Sequence, residues 1–425
     1  MNFIEELRWR GMLHQMTPDV EKLLSQEKVS GYCGFDPTAS SMTIGNFVPI
    51  MLLMRFQRMG HKPFALVGGA TGLIGDPSGK SVERQLMTVE TIDANIASFK
   101  KQLSKYLDFD KGSNQAELVN NYDWFKDMNV FTFLRDIGKH LTVNYMMAKD
   151  SVQNRLENGI SFTEFSYQLI QGYDFYWLWK NKNCKVQLAG SDQWGNMTAG
   201  MELIRRIDRG ESHLITCPLV TKADGTKFGK TESGALWLDR NLTSPYQFYQ
   251  YWLNASDADA GKYLRIFSFL DEPTIIEIET EHAKAPHLRL LQQTLGREVT
   301  TIVHSEADYK LALQTSEVLF GKATKATLAE IHPDSWREIF AGVPLFKVQR
   351  NAIESGIAIL PLLTEACNIF PSKGEARKLI QAGGLKLNLE KVSDIDLTVN
   401  STLLIQNKYL VLQKGKKDYY LLEVE

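Results

Sequence analysis

Residues 29–60 read VSGYCGFDPTASSMTIGNFVPIMLLMRFQRMG, and this stretch decides the fold. Its first seven residues are mostly apolar or aromatic and predict a buried strand, while DPTASS has the composition of a turn. An apolar stripe from Phe47 to Met54 then predicts a helix that ends before Gly60. A second apolar strand at 63–69 runs into the glycine-rich loop ATGLIGDPSGKS. Strand, helix and strand in this order predict a βαβ unit with parallel strands.

The same alternation of strands and helices continues through the first half of the chain. Apolar and periodic runs predict helices over 88–107, 128–139 and 161–179, and strands over 116–120 and 185–190. Strands that alternate with helices form a parallel, doubly wound sheet. We therefore predict a Rossmann-like α/β fold whose ligand lies at the carboxyl ends of the strands.

Strand patterns stop near residue 240, and the predicted domain organisation follows from that change. We predict a Rossmann-like domain over 1–235 and an α-helical domain over 236–320. An irregular stretch over 321–354 is predicted as a linker, and 355–425 as a small α+β domain.

Composition and charge are those of an ordinary globular protein. The chain has 425 residues with 48 basic and 50 acidic side chains, so its net charge of −2 gives no general sign of nucleic-acid binding, although a local basic patch remains possible. The four cysteines form no CxxC pair and the eight histidines no metal-type cluster, so we expect no disulfide framework and no transition-metal site. No secretory signal or membrane span is recognisable, and we expect a cytoplasmic protein with no membrane partner.

Two loops are candidates for binding phosphate. TIGN (43–46) opens a helix, where free N–H groups and the positive end of the dipole favour an anion, but an ordinary capped helix start has the same features. The second loop is not a P-loop, because Ile74 stands where GxxxxGK[ST] needs glycine. Its glycines would let the backbone approach a ligand beside Asp76, yet a tight turn explains them equally well.

The helix predicted over 161–179 carries a polar stripe. Tyr167, Gln171 and Asp174 are spaced i, i+4, i+7 and so share one face in otherwise apolar surroundings. If that face is buried, its chemistry suits the ammonium and hydroxyl groups of a ligand. The alternative is a polar stripe that faces solvent.

Two later segments complete the candidate set. In GSDQWGN (190–196), Gly190 leaves room for a nucleotide and Asp192 can accept a hydrogen bond from a ribose hydroxyl. The loop 221–234 carries Lys222, Lys227 and Lys230 among glycines. This composition suits a loop that closes on polyphosphate, but it also suits a solvated surface loop.

The order of these segments is typical of one family. GFDPTASSMTIGN, GGATGLIGDPSGK, NNYDW, EFSYQLIQGYDF, GSDQWGN and KFGKT follow one another in the chain, and together they resemble bacterial tyrosyl-tRNA synthetases of class I. The resemblance covers the whole chain. Its last part, PSKGEARKLIQAGGLKLN (371–388), is similar to a small RNA-binding fold shared with a ribosomal small-subunit protein.

The resemblance implies roles for individual residues. The tyrosine substrate would be bound through its phenol by Tyr32 and Asp174, through its ammonium by Tyr167, Gln171 and Asp76, and elsewhere by Asn121 and Gln187. ATP would be bound by Gly34, Asp36, Gly45, Gly190, Asp192, Gln193 and Lys230. The groups acting on the phosphates would be Thr38, Thr43, Asn46, Lys80, Arg84, Lys227, Lys230 and Thr231. The tRNA would be contacted by Lys373, Arg377 and Lys378.

The family's activity follows from the same resemblance. L-tyrosine and ATP, with Mg²⁺, would give tyrosyl-adenylate and pyrophosphate, and tyrosine would then pass to the terminal adenosine of tRNA(Tyr). The family works as a homodimer, and the insertion that forms it would lie within 1–235. Because the attacking carboxylate is already ionised, fixed cations and donors around the phosphates would be the main catalytic resource.

One departure from the family pattern leaves two alternatives open. The family's HIGH element has histidine at both ends, whereas this chain has Thr43 and Asn46, which can donate hydrogen bonds but carry no charge. We expect activation to survive, since Thr38 and the lysine loop remain. The alternatives are a paralogue that makes tyrosyl-adenylate for another acceptor, and a non-catalytic RNA-binding protein built on the same frame.

Overall fold

The computed structural model describes residues 1–78, 87–154, 159–231, 234–320, 324–331, 333, 336–340, 343–415 and 418–425. These residues form two compact units. Unit 1 comprises Met1–Thr243 and Tyr251–Val303, and unit 2 comprises Ser244–Gln250 and His304–Glu425. Over the ranges just given, none of the helices combines the length and the apolar character that crossing a bilayer requires.

Unit 1 is built on a six-stranded sheet. Its strands are β1 (Gln15–Met16), β2 (Ser30–Phe35), β3 (Lys62–Val67), β4 (Glu117–Asn120), β5 (Cys184–Gly190) and β6 (His213–Cys217). They run in the order β1-β6-β5-β2-β3-β4, and all neighbours are parallel except the antiparallel edge strand β1. A separate ribbon pairs β7 (Lys230–Thr231) with β8 (Gly234–Ala235).

The helices between residues 20 and 208 connect the strands of the sheet, and those from residue 245 follow its last strand; residues 245–250 belong to unit 2. In chain order the helices are α1 (Phe3–Trp9), α2 (Val20–Gln26), α3 (Ile44–Arg58), α4 (Thr71–Ile74), α5 (Val89–Leu103), α6 (Tyr122–Phe125), α7 (Val130–Asp136), α8 (Val143–Met147), α9 (Asp150–Gln153), α10 (Phe162–Lys182), α11 (Trp194–Asp208), α12 (Pro245–Leu253), α13 (Asp257–Phe267), α14 (Glu272–Lys284) and α15 (Leu290–Val303). The strands predicted at 29–35, 63–69, 116–120 and 185–190 are confirmed as β2 to β5, and the three predicted helices as α5, α7 and α10.

The sheet order creates a switch point in its centre. The chain passes from β2 to β3 and β4 on one side, and then crosses to β5 and β6 on the other side of β2. Loops that leave β2 and β5 therefore diverge, and a crevice opens between their carboxyl ends. Tyr32 of β2 lies beside Gln187 of β5, so side chains from both strands reach the same crevice.

Helix α13 packs against α14 and α15, and it also contacts helix α3 beside the sheet. Phe267 stacks on Phe47, with ring centroids 6.1 Å apart. The buried Arg55 of α3 donates to the carbonyl oxygens of Ile266 and Ser268 at 3.0 and 2.6 Å, and so satisfies the open end of α13. These contacts place α13 in unit 1, while the domain limits predicted from the sequence stay predictions.

Unit 2 contains a five-stranded sheet in the order β12-β11-β14-β15-β9. Its strands are β9 (Leu345–Val348), β10 (Ile357–Ala358), β11 (Leu385–Leu387), β12 (Glu390–Lys391), β13 (Thr398–Val399), β14 (Tyr409–Lys414) and β15 (Asp418–Val424), of which β10 and β13 form a separate pair. Its helices are α16 (Glu306–Phe320), α17 (Lys325–Ala329), α18 (Trp336–Ile339), α19 (Arg350–Glu354), α20 (Ile359–Pro361) and α21 (Lys373–Gln381).

The stretch 321–354, which we predict as a linker, contains a strand and a buried tryptophan where it is described. Residues 345–348 form strand β9, which pairs in parallel with β15. Trp336 is fully buried and stacks on Tyr409 at 4.5 Å. Prolines and glycine made the stretch look irregular, but its packing partners lie more than seventy residues further along the chain, where local sequence patterns give no information about them.

Candidate active site

A cavity of about 560 Å³, here called the central cavity, lies at the carboxyl ends of β2 and β5. Many of the predicted tyrosine and ATP ligands line it: Tyr32, Gly34, Asp36, Gly45, Tyr167, Gln171, Asp174, Gln187, Gly190, Asp192 and Gln193, together with Asn46 and Lys227 from the predicted catalytic set. The polar stripe of α10 therefore faces the interior, and the alternative of a solvent-facing stripe is wrong. Tyr167 and Asp174 are only 4% and 2% exposed.

The carboxyl group of Asp174 is held by two donors. Asn121 donates through Nδ2 to Oδ2 at 3.1 Å, and Trp124 donates through Nε1 to Oδ1 at 2.9 Å. Burial raises the pKa of Asp174 well above its usual value, and the two donated hydrogen bonds oppose that rise. Both oxygens are thereby fixed in orientation, as recognition of a polar ligand group requires.

The hydroxyl group of Tyr32 and the side-chain oxygen of Gln187 have no hydrogen-bond partner among the described residues. Both atoms are buried, and both residues line the central cavity. Burial, and secondarily the charge of Asp174, raise the pKa of Tyr32 well above its usual value, so the hydroxyl keeps its proton. Buried polar atoms without partners carry a free-energy penalty that a ligand in the cavity can remove.

A chain of hydrogen bonds links Asp174 to the loop that follows β2. Asn121 donates to Thr71 Oγ1 at 3.0 Å, and Thr71 donates to Asp36 Oδ1 at 2.6 Å. Tyr167 in turn donates through its hydroxyl to Asp36 Oδ2 at 2.7 Å. Asn121 is completely buried and does not line the central cavity. It contacts Asp174, a residue predicted to bind tyrosine. Thr71 is not among the residues predicted to bind a ligand, and its only local signal in the sequence is its place in the glycine-rich loop.

Asp76 also lies behind the cavity wall. Gln193 donates through Nε2 to Asp76 Oδ2 at 2.7 Å, and Asn196 donates through Nδ2 to Gln171 Oε1 at 3.0 Å. Asn196, at the end of the predicted GSDQWGN segment, was given no role in the sequence analysis. It nevertheless orients the amide of Gln171, whose oxygen belongs to the stripe predicted to bind ammonium.

A second cavity of about 860 Å³, here called the outer cavity, adjoins the first. Four residues predicted to act on phosphates line it: Thr38, Thr43, Asn46 and Lys230. Asp36 and Asn46 line both cavities and so mark the boundary between them. The predicted amino-acid and nucleoside ligands thus lie mainly on one side of this boundary, and Thr38, Thr43 and Lys230 lie on the other, while Lys227 lines the central cavity.

The lysine loop (221–234) is held against helix α13 by Phe228. Its ring stacks on Phe267 at 5.5 Å and lies 5.1 Å from the ring of Tyr263 and 6.0 Å from that of Trp252. The next residue, Gly229, donates its N–H to the hydroxyl of Tyr251 at 3.0 Å. Phe228 therefore holds the backbone between Lys227 and Lys230, a role that the sequence analysis did not assign.

Gly229 brings the lysine loop against the start of α3. Its φ is +75°, in the left-handed region that favours glycine, and a Cβ at this position would overlap Cγ2 of Ile44. A backbone hydrogen bond from Leu236 to Gly229 and another from Ile44 to Leu236 join the two segments, both at 2.9 Å. TIGN (43–46) and KFGKT (227–231), which are far apart in the chain, are thus in direct contact.

Some predicted residues are not tested by these contacts. Lys80 and Arg84 lie outside the described residues, as does the side chain of Thr231, whose backbone belongs to β7. Lys373, Arg377 and Lys378 lie exposed on α21 of unit 2, and Lys373 pairs with Glu365 at 2.6 Å. In the part of the chain that the structure describes, no three His, Cys, Asp or Glu side chains are grouped so as to hold a metal ion.

Family profiles and curated relatives match this chain along nearly its whole length. A family profile described as "tRNA synthetases class I (W and Y)" matches residues 24–321, and one described as "Tyrosine--tRNA ligase SYY-like C-terminal domain" matches 336–422. A Tyrosine--tRNA ligase of Porphyromonas gingivalis is 56% identical over 430 residues, covering 100% of both chains. One of Bacteroides fragilis is 55% identical over 427 residues, covering 99% of both. The chain belongs to the tyrosine–tRNA ligase family.

Solved structures support the fold of this enzyme. A C-terminally truncated mitochondrial tyrosyl-tRNA synthetase from Aspergillus nidulans has a TM-score of 0.68 at 30% identity, covering 75% of this chain and 94% of that one. A tyrosyl-tRNA synthetase from Archaeoglobus fulgidus, solved with L-tyrosine, has a TM-score of 0.53 at 16% identity and covers 73% of this chain and 100% of that one, which supports the fold alone. The predicted family, class I fold and ligase class are confirmed.

Proposed function

We propose that the enzyme binds L-tyrosine with its phenol at Tyr32 and Asp174, and activates it with ATP in the adjoining cavities. The observation that carries this proposal is the buried carboxyl group of Asp174, fixed by two donors next to the unpaired hydroxyl of Tyr32. A phenol can donate to the first and accept from the second. Phenylalanine can do neither, so binding it would leave buried polar groups unpaired.

The reaction runs across the boundary between the two cavities. The ammonium group of tyrosine lies near Tyr167 and Gln171, and its carboxylate attacks the α-phosphate near Asp36 and Asn46. Negative charge then grows on the phosphates and on the departing pyrophosphate, where Lys230 and its neighbours in the outer cavity provide cations and donors. No general base is needed, because the nucleophile is already ionised.

In this proposal Mg²⁺ is bound by the ATP substrate. Because the described residues contain no metal-binding cluster, we assign no protein ligands to the ion. It reaches the site on the phosphates of ATP, which suit its preference for oxygen ligands.

Tyrosine is then transferred to the terminal adenosine of tRNA(Tyr), in the cytoplasm where translation uses the product. Lys373, Arg377 and Lys378 are exposed cations on one short helix of unit 2 and suit contacts with tRNA phosphates. A salt-dependent loss of tRNA affinity in the triple Ala variant, with adenylate formation unaffected, is the expected result.

The homodimer is proposed to form through the segment between β4 and β5. Large apolar side chains are exposed there on a single chain: Val130 60%, Phe131 80%, Leu134 50%, Val143 64% and Phe162 76%. Exposed apolar side chains in such number mark an interface. Sedimentation velocity should give a dimer for the wild type and a monomer for Phe131→Asp, since Phe131 contributes little to the core of one chain. A dimeric variant would contradict this choice of surface.

Two assays separate the proposal from the alternatives. Tyrosine-dependent exchange of pyrophosphate into ATP is expected, and its absence would favour a non-catalytic RNA-binding protein. Charging of purified tRNA(Tyr) is also expected. Exchange without charging would favour a paralogue that uses another acceptor.

A further inference from the structure

The side chain of Asn46 is held in one orientation by Thr43. The Thr43 backbone N–H donates to Asn46 Oδ1 at 2.9 Å, and the Thr43 hydroxyl donates to the same oxygen at 3.0 Å. Since a backbone N–H can only donate, the amide must present its oxygen to Thr43. Its other end, Nδ2, then points away from Thr43 and has no acceptor among the described residues.

The hydroxyl of Thr43 is therefore already engaged. It has one hydrogen, and that hydrogen is directed to Asn46 Oδ1, which accepts only. What remains on Thr43 Oγ1 is lone-pair density, which repels a phosphate oxygen. Thr43 lines the outer cavity, but while it holds Asn46 it cannot also donate to a phosphate.

The backbone around Thr43 is fixed by its neighbours. Thr43 forms an antiparallel bridge with Trp237, and the N–H of Ile44 donates to the carbonyl of Leu236 at 2.9 Å. The donors that orient Asn46 are thus attached to a rigid segment. Asn46 itself lines both cavities, so its free Nδ2 belongs to the boundary that a triphosphate must cross.

We propose that Thr43 is a positioning residue, which locks the amide of Asn46 so that Nδ2 donates to the phosphates of ATP, and that Thr43 is not itself a phosphate ligand. The pair then acts as one unit, with a single donor directed at the reaction. This inference rests on the proposed function. It departs from the expectation, implied by the resemblance, that Thr43 and Asn46 both act directly on the phosphates.

The test is a double-mutant cycle on single-turnover formation of tyrosyl-adenylate. Thr43→Val, which removes the hydroxyl at nearly constant shape, should slow the step about 3- to 10-fold, as loss of one orienting hydrogen bond would. Asn46→Ala should slow it about 10- to 100-fold, as loss of a donor to a charged group would. Adding Thr43→Val to Asn46→Ala should change the rate less than 2-fold, because Thr43 then has nothing to orient.

Two further measurements separate positioning from damage to the fold. Thr43→Ser keeps the hydroxyl and should recover most of the rate lost in Thr43→Val. The dissociation constant of tyrosine should stay within 2-fold of wild type in every variant, because the tyrosine contacts lie elsewhere. Independent losses that multiply in the double variant would overturn the inference while leaving the proposed function intact. A wild-type enzyme without tyrosine-dependent exchange would overturn the proposed function first.

Discussion

Replacing Tyr32 by phenylalanine should make the free enzyme more stable and tyrosine binding weaker. The hydroxyl removed is buried and has no hydrogen-bond partner among the described residues. The ring is 1% exposed and packs on Phe175 with centroids 5.4 Å apart, so the rest of the side chain stays where it is. The substitution therefore isolates the effect of one polar group.

The gain in stability and the loss of tyrosine affinity can each be estimated. Burying an unpaired hydroxyl costs about 1–3 kcal/mol, of which the variant should recover roughly 1 kcal/mol after the lost packing contacts are subtracted. For a cooperative unit of this size, that corresponds to a rise in Tm of about 1–2 °C. In the complex the same hydroxyl would pair with the substrate phenol, and losing a neutral hydrogen bond of about 0.5–1.5 kcal/mol weakens binding about 2- to 12-fold.

Thermal unfolding of the free enzyme and equilibrium dialysis of tyrosine measure the two effects. Pyrophosphate exchange measured with tyrosine and with phenylalanine gives a third measurement. The preference of Tyr32→Phe for tyrosine over phenylalanine should fall by about the same factor as its affinity for tyrosine. Tyr176→Phe is the matched control: its hydroxyl donates to Asp208 at 2.8 Å and accepts from Lys180 at 2.9 Å, so its loss should lower Tm and leave binding unchanged. A lower Tm in Tyr32→Phe, with unchanged affinity, would refute the reasoning.

Two other substitutions test the loop contact and the acid response. Gly229→Ala should slow adenylate formation at least about 10-fold in single-turnover assays without affecting tyrosine affinity, because a Cβ would push the lysine loop away from α3. Gly225→Ala is the control for backbone strain, since Gly225 also has a positive φ of +80° but has open space around it. Equal rates in the two variants would contradict a role for the contact between Gly229 and Ile44. His61 is buried near Lys28, and desolvation lowers the pKa of its imidazole to about 4. A base whose folded pKa lies below its unfolded value contributes stability that is complete above about pH 6.5 and is lost as the pH falls towards 4. Denaturant titrations should therefore give a steeper acid loss of unfolding free energy for wild type than for His61→Gln, and parallel curves would contradict this.

The parallel sheet and its ligand edge could be predicted because they depend on local patterns. The apolar strand at 29–35, the turn and the apolar helix after it encode a βαβ unit without reference to distant residues. Strand β6 was missed, because five buried residues at 213–217 follow a helix end without a distinctive alternation. Strand β9 was missed because its partner β15 lies at the other end of unit 2.

The candidate site divides in the same way. Tyr167, Gln171 and Asp174 could be placed on one face from helical spacing alone. Roles for Thr71 and Asn196 could not be predicted, because their hydrogen-bond partners lie on other helices, strands or loops. The sequence alone does not show which residues of separate segments come within hydrogen-bond distance. The engaged hydroxyl of Thr43 likewise became visible only when the direction of its hydrogen bond was known.

The sequence by itself determined the family, the doubly wound fold and most of the polar side chains that line the central cavity, since ordered motifs and helical or strand periodicity are local properties of the chain. The tertiary structure decided which of those side chains touch one another. It left the hydroxyl of Tyr32 unpaired, fixed Asp174 between Asn121 and Trp124, and brought Gly229 onto Ile44. Each of these depends on close approach between segments far apart in the chain, which packing fixes to within a few tenths of an ångström and sequence spacing does not.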